Sequence, residues 1–209
     1  MNGYKDVVQT LLSAGVRPNV PCALERAAEN GFDEVVKILL DAGASVNGCS
    51  FKDYIIGTPL QYASSAGQIS VVQRLLRAGA SVNTCKDSSD SAIQLASRWG
   101  HDQVVQILIE AGADVNAQGG RDGSALHAAV LQPNNGKIVR MLVDSGADVN
   151  APGTKFENVL LAAFDRHCNH EVIQILVDAG ADINSGPKRR QFRDALQEAW
   201  REVNAIKFS

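Results

Sequence analysis

Histidines and cysteines are the residues of this 209-residue chain best suited to metal or nucleophilic chemistry, four of each. His167-Cys168-x-His170, with Asp165 close by, is the cluster that hints at a metal. A structural zinc site needs two well-spaced ligand pairs, and no second pair lies near, so no metal is expected. The cysteines Cys22, Cys49, Cys85 and Cys168 lack the spacing of a disulfide framework, which points to free thiols in a reducing compartment. No nucleophile can be placed in register with a base, and no P-loop is present. Gly119-Gly120-Arg121 reads as a turn rather than a phosphate cradle. We therefore expect no catalytic residue, no cofactor, no small-molecule substrate and no enzyme.

Charge and hydropathy narrow the partners further. The net charge is −3, and the basic cluster Lys188-Arg189-Arg190, with Arg193 and Arg201, stands at one end with no basic stripe along the chain. A nucleic-acid partner is not expected. No apolar run approaches the roughly 18 residues of a membrane span, and no signal-peptide pattern is present. The expected location is intracellular, cytoplasmic or nuclear.

The elements that would position any site repeat. Six times an apolar helix ends in the same signal: AGVRPN, AGASVN, AGASVN, AGADVN, SGADVN and AGADIN. The closing residues Asn19, Asn47, Asn83, Asn116, Asn150 and Asn184 lie 28, 36, 33, 34 and 34 residues apart. A period near 33 signals a stacked array of one supersecondary unit. The glycine of each signal can take the left-handed conformation that closes a helix.

Ahead of these glycines run apolar stripes such as Val104, Val105, Ile107, Leu108 and Ile109, which bury one face of a short helix. Upstream of each stripe lies a smaller, alanine-rich helix. Thr58, Ser91 and Ser124 stand where its N-cap is needed, Pro59 at its first position, and Gln61 and Gln94 three residues on. Ala27, Ala63, Ala96, Ala129 and Ala163 share one position, where a small side chain lets neighbouring helices approach.

Thr58-Pro59-Leu60-Gln61-Tyr62-Ala63 resembles the T-P-L-H-x-A hallmark of ankyrin repeats, and Gly112-Ala113-Asp114-Val115-Asn116 resembles their closing motif. The match recurs in register over almost the whole chain. It implies an all-α solenoid of stacked helix–turn–helix layers with short hairpin fingers. We divide the single array, residues 1–209, into a partial repeat at 2–19, repeats at 20–47, 48–83, 84–116, 117–150 and 151–184, and a C-terminal capping half-repeat at 185–209.

Departures from the period carry expectations of their own. The second repeat is five residues short between Asn19 and Leu24, so its hairpin should be missing. The third is three residues longer, with an apolar finger Phe51-Lys52-Asp53-Tyr54-Ile55-Ile56. The fifth and sixth carry one extra residue near Pro133 and Cys168. Val7, Val8, Leu11 and Leu12 form an apolar face whose natural cover, the first helix of that repeat, is absent; upstream repeats and a longer polypeptide are expected. The finger Ala117 to His127 resembles versions common in fungal ankyrin arrays.

The resemblance implies a non-enzymatic module binding a protein on the concave face, formed by fingers and the ends of the first helices. Matched residue by residue, the candidate contacts are Phe51, Lys52, Tyr54, Lys86, Asp87, Arg121, Asp122, Lys155 and Phe156 on fingers. Arg98, Trp99, Gln132, Asp165 and Arg166 are the candidates at helix ends. Trp, Tyr and Arg at exposed sites dominate binding energetics. The equivalents of Trp99, Ala66 and Asn30, are small or polar, so layer packing does not require an aromatic there. Phe51, Tyr54 and Ile55 could equally fold back over the gap left by the short second repeat. A regulatory or inhibitory subunit that masks an enzyme's active site is the alternative function.

Overall fold

The computed structural model describes residues 3–20, 22–48, 50–52, 55–84, 90–156, 158–166 and 170–182. Eleven helices occupy these residues: α1 (Gly3–Ser13), α2 (Ala23–Glu29), α3 (Asp33–Asp41), α4 (Pro59–Ser65), α5 (Ile69–Arg77), α6 (Ala92–Arg98), α7 (Asp102–Glu110), α8 (Ala125–Val130), α9 (Gly136–Asp144), α10 (Val159–Arg166) and α11 (His170–Asp178). Helices α2, α4, α6, α8 and α10 stack in one row, which we term inner; α1, α3, α5, α7, α9 and α11 form the outer row. Each inner helix also packs on the outer helix that follows it. Among the described residues, sheet is confined to the hairpin of β1 (Ser50–Lys52) and β2 (Ile55–Gly57), with Phe51 opposite Ile56.

The inner helices start where their side chains satisfy the orphan N–H groups of a first turn. Thr58 Oγ1 accepts from the Gln61 amide at 3.3 Å, and Gln61 Oε1 accepts from the Thr58 amide at 2.7 Å. Ser91 and Gln94 repeat this reciprocal box at 3.3 and 2.6 Å. The glutamine amides then tie layers together: Gln61 Nε2 donates to Asp90 O at 2.8 Å, and Gln94 Nε2 to Ala117 O and Gly123 O, both at 3.1 Å.

Outer helices end as the glycine pattern requires. Gly43 takes φ +91; its amide donates to Leu40 O and that of Ala44 to Leu39 O, both at 2.9 Å. This pair of bonds closes the helix with a left-handed glycine. The asparagine that follows reaches the next layer: Asn83 Oδ1 accepts from the Asp114 amide at 2.8 Å while its Nδ2 donates to Gly112 O at 3.0 Å. Asn47, Asn116 and Asn150 repeat the same ladder.

Between the rows lies one continuous core. Leu60, Ile93, Leu126 and Leu160 of the inner helices and Leu75, Leu108, Leu142 and Leu176 of the outer ones are all buried. In the short second repeat α2 begins at Ala23, with Cys22 as N-cap in a left-handed conformation (φ 66) and no side-chain cap bond. After the extra residue near Pro133, Asn134 takes φ 64 in the register of Gly100 at φ +75. Asparagine tolerates that region better than other non-glycine residues. Residues 185–209, read as a capping half-repeat, lie outside the described residues.

Candidate functional site

The best-defined feature of the inner-helix ends is built around α6. Arg98, its last residue, turns its guanidinium back toward Asp90, eight residues earlier. Nη1 and Nη2 donate to the two Asp90 oxygens at 2.6 and 2.8 Å, and Nε donates to Asp122 Oδ2 at 2.7 Å. Asp90 Oδ1 also accepts from the Arg121 amide at 3.0 Å, and Lys155 Nζ lies 4.0 Å from Asp122. One fork-shaped cation thus holds the segment leading into α6 and the finger leading into α8. Burial opposes the charge on Arg98, but the hydrogen bonds to Asp90 and Asp122 outweigh it and raise its pKa above the ordinary value.

This geometry corrects the sequence reading at two positions. Arg98 and Asp122 were expected as exposed partner contacts, yet their side chains are only 10% and 6% exposed. They saturate one another because two carboxylates from separate segments converge on one guanidinium. Gly120 belongs to the same device: it takes φ +63, and a Cβ there would sit 2.2 Å from Asp90 Oδ1.

Trp99 is different. It caps the C-terminus of α6 with φ −92 and ψ 3 and is 61% exposed. The residues capping α2, α4 and α8 at that place are Asn30, Ala66 and Leu131. Arg121 and Gln132 are exposed, and Lys155 is 45% exposed. Phe156 is half-buried against the core, so it serves the stack at least in part, not the open surface alone. Phe51 and Lys52 lie on β1, and Asp165 and Arg166 end α10. Tyr54, Lys86 and Asp87 lie outside the described residues, as do His167 and Cys168 of the candidate metal cluster.

His127 comes with a serine: its Nδ1 is 2.9 Å from Ser124 Oγ. A serine–histidine pair could suggest nucleophilic catalysis, but both residues are buried and the hydroxyl caps α8 by accepting from the His127 amide. No substrate could reach it. Burial pushes the imidazole pKa below its usual 6.5. Among the described residues no group of three or more His, Cys, Asp and Glu could hold a metal ion.

A second inter-layer ladder escaped the sequence reading. Gln68 Nε2 donates to Glu29 O at 3.1 Å, His101 Nε2 to Ser65 O at 3.1 Å and Asn135 Nδ2 to Ser97 O at 3.0 Å. These residues share one register, just before an outer helix, and three different polar side chains fill it. Their chemical variety hid the repetition.

Three overlapping stretches, residues 1–85, 24–119 and 60–153, match the family model described as ankyrin repeats (3 copies). The chain is an ankyrin-repeat protein. Among solved structures, the human ASB11 ankyrin repeat domain superposes with a TM-score of 0.75 at 28% identity, covering 88% of this chain and 82% of that one. Comparison with curated proteins finds no match. Ankyrin repeats are in general protein–protein interaction modules, and an all-α solenoid of such layers accounts for every helix described above. No helix among the described residues is long and apolar enough to cross a membrane.

Proposed function

We propose that this ankyrin array is a non-catalytic module that binds a protein partner on the face lined by its fingers and inner-helix ends, with Trp99 as the anchor. The observation that carries this reading is the exposure of Trp99 at a position where layer packing elsewhere makes do with asparagine, alanine or leucine. A large rigid side chain gives up about 150–250 Å² of surface when covered, at little entropy cost. The Arg98 clasp beside it holds the neighbouring finger, which reduces the ordering a partner must impose.

Arg121, Gln132 and Lys155 supply exposed polar atoms for the rim of such an interface. Arg98 and Asp122 take the role of positioning residues instead. The test is a footprint. Partner captured from the source cell by the wild-type chain should lower hydrogen exchange at residues 98–100 and 119–123. Protection confined to the outer helices α5, α7 and α9 would move the interface to the other row.

A further inference from the structure

We propose that the partner docks through a short acidic segment, a reading that rests on Trp99 as the anchor. Its carboxylates meet Arg121 and Lys155, and an apolar side chain lies on Leu95 and Trp99. These two α6 residues are one turn apart, the Trp99 amide donating to Leu95 O at 3.1 Å, so their side chains share a face. Leu95 is half-buried. Arg26 fills the same register in α2 with its side chain 54% exposed, so the stack does not require an aliphatic residue there.

Two exposed cations are fixed at the border of this shelf. Arg121 is held at both backbone groups: its amide donates to Asp90 Oδ1 at 3.0 Å, and its carbonyl accepts from Thr154 Oγ1 at 2.6 Å. The first bond draws its finger to the end of α6, where Asp90 and Asp122 grip Arg98, the residue before Trp99. The second brings the finger of Lys155 alongside. The carboxylates of the site are already engaged. Arg98 takes both oxygens of Asp90 and one of Asp122, whose side chains are 16% and 6% exposed. Lys155 Nζ comes no closer than 4.0 Å to the other Asp122 oxygen, and among the described residues no carboxylate pairs with the Arg121 guanidinium. Farther along the inner row charge cancels locally, with Arg26 lying 3.5 Å from Glu29. Two cations beside an aromatic thus favour an anionic partner here, on a chain whose net charge of −3 disfavours one elsewhere. A phosphate backbone would ask for a basic stripe, which the array lacks. Asp and Glu around one apolar residue match both halves of the site.

The test selects random short peptides displayed on phage against the whole chain. Enriched sequences should combine at least two Asp or Glu with an aromatic or aliphatic residue. The best of them, made as a fluorescent probe, should lose affinity roughly tenfold with Arg121→Gln and Lys155→Gln together, two exposed charge pairs being removed. Both side chains are exposed, so the urea midpoint should hold. Should the double variant fold poorly, a salt series on the unaltered chain reads the same charges: binding should weaken steadily between about 0.05 and 0.5 M NaCl. An absence of enriched peptides, an affinity indifferent to both changes, or a single-stranded DNA bound as tightly as the best peptide would overturn the proposal. Neutral or basic peptides that Trp99→Ala no longer binds would overturn the acidic occupant and leave the proposed function standing. Acidic peptides that Trp99→Ala binds unchanged would remove the anchor and so overturn both.

Discussion

Outer helices α1 and α7 carry nearly the same stripe, Val7-Val8-x-x-Leu11 against Val104-Val105-x-x-Leu108, and meet opposite fates. Val104 and Leu108 are buried to 1% or less, while Val7 and Leu11 stand half open. The letters fix which side of the helix is apolar; the neighbouring layer fixes whether that side is dry. The same lesson separates Arg98 from Trp99 within one helix end. The residue expected at the surface is buried by two carboxylates from elsewhere, and the large aromatic beside it stays in solvent.

The comparison can be broken most easily at the clasp. Arg98→Ala leaves Asp90 and Asp122 facing each other without their cation, and we expect a stability loss of about 3–5 kcal/mol by urea unfolding. A loss under about 1 kcal/mol would mean that the clasp behaves as a surface ion pair. Leu108→Ala should cost about 3 kcal/mol through its cavity, whereas Leu11→Ala should cost less than about 1 kcal/mol. Equal costs would show that α1 is already covered. Hydrogen exchange should sharpen the same contrast, with residues 93–112 protected more strongly than residues 4–20. The reverse order would refute the layer-by-layer account of stability.

Much of this was legible before any coordinates. The reciprocal boxes of Thr58 with Gln61 and Ser91 with Gln94, the left-handed glycines and the closing asparagines are local devices. Their partners lie within a few residues or one period away, so spacing reveals them. The clasp was not legible because it joins Arg98 to Asp90 and Asp122, 8 and 24 residues away on opposite sides, in geometry that only the stacked layers create. The exposure of Trp99 could be inferred only by asking what its register-mates are. The ladder of Gln68, His101 and Asn135 needed the structure, since no single residue type marks it.

A smaller effect should appear with pH. Burial lowers the His127 pKa below 6.5, with Asp122 opposing it. A histidine whose charged form is disfavoured in the fold contributes stability that is fully present above pH 6.5. That contribution falls as the pH drops from 6.5 toward the native value. His127→Gln, which places the side chain of Gln61 and Gln94 in this layer, should flatten the decline between pH 6.5 and 5. Unchanged pH dependence in the variant would show that His127 does not cause the decline; Asp33, whose hydrogen bond to Arg74 lowers its pKa, loses its contribution only below its ordinary 3.8.

The central claim concerns Trp99, and one paired measurement on Trp99→Ala tests it. Unfolding free energy and calorimetric affinity for the captured partner are taken on the same sample. Because the side chain is 61% exposed, stability should change by less than about 1 kcal/mol, as at surface positions. Affinity should fall by more than about tenfold, equivalent to about 1.4 kcal/mol. A stability loss near 3 kcal/mol, the cost of truncating a buried aromatic, or an unchanged affinity would contradict the account.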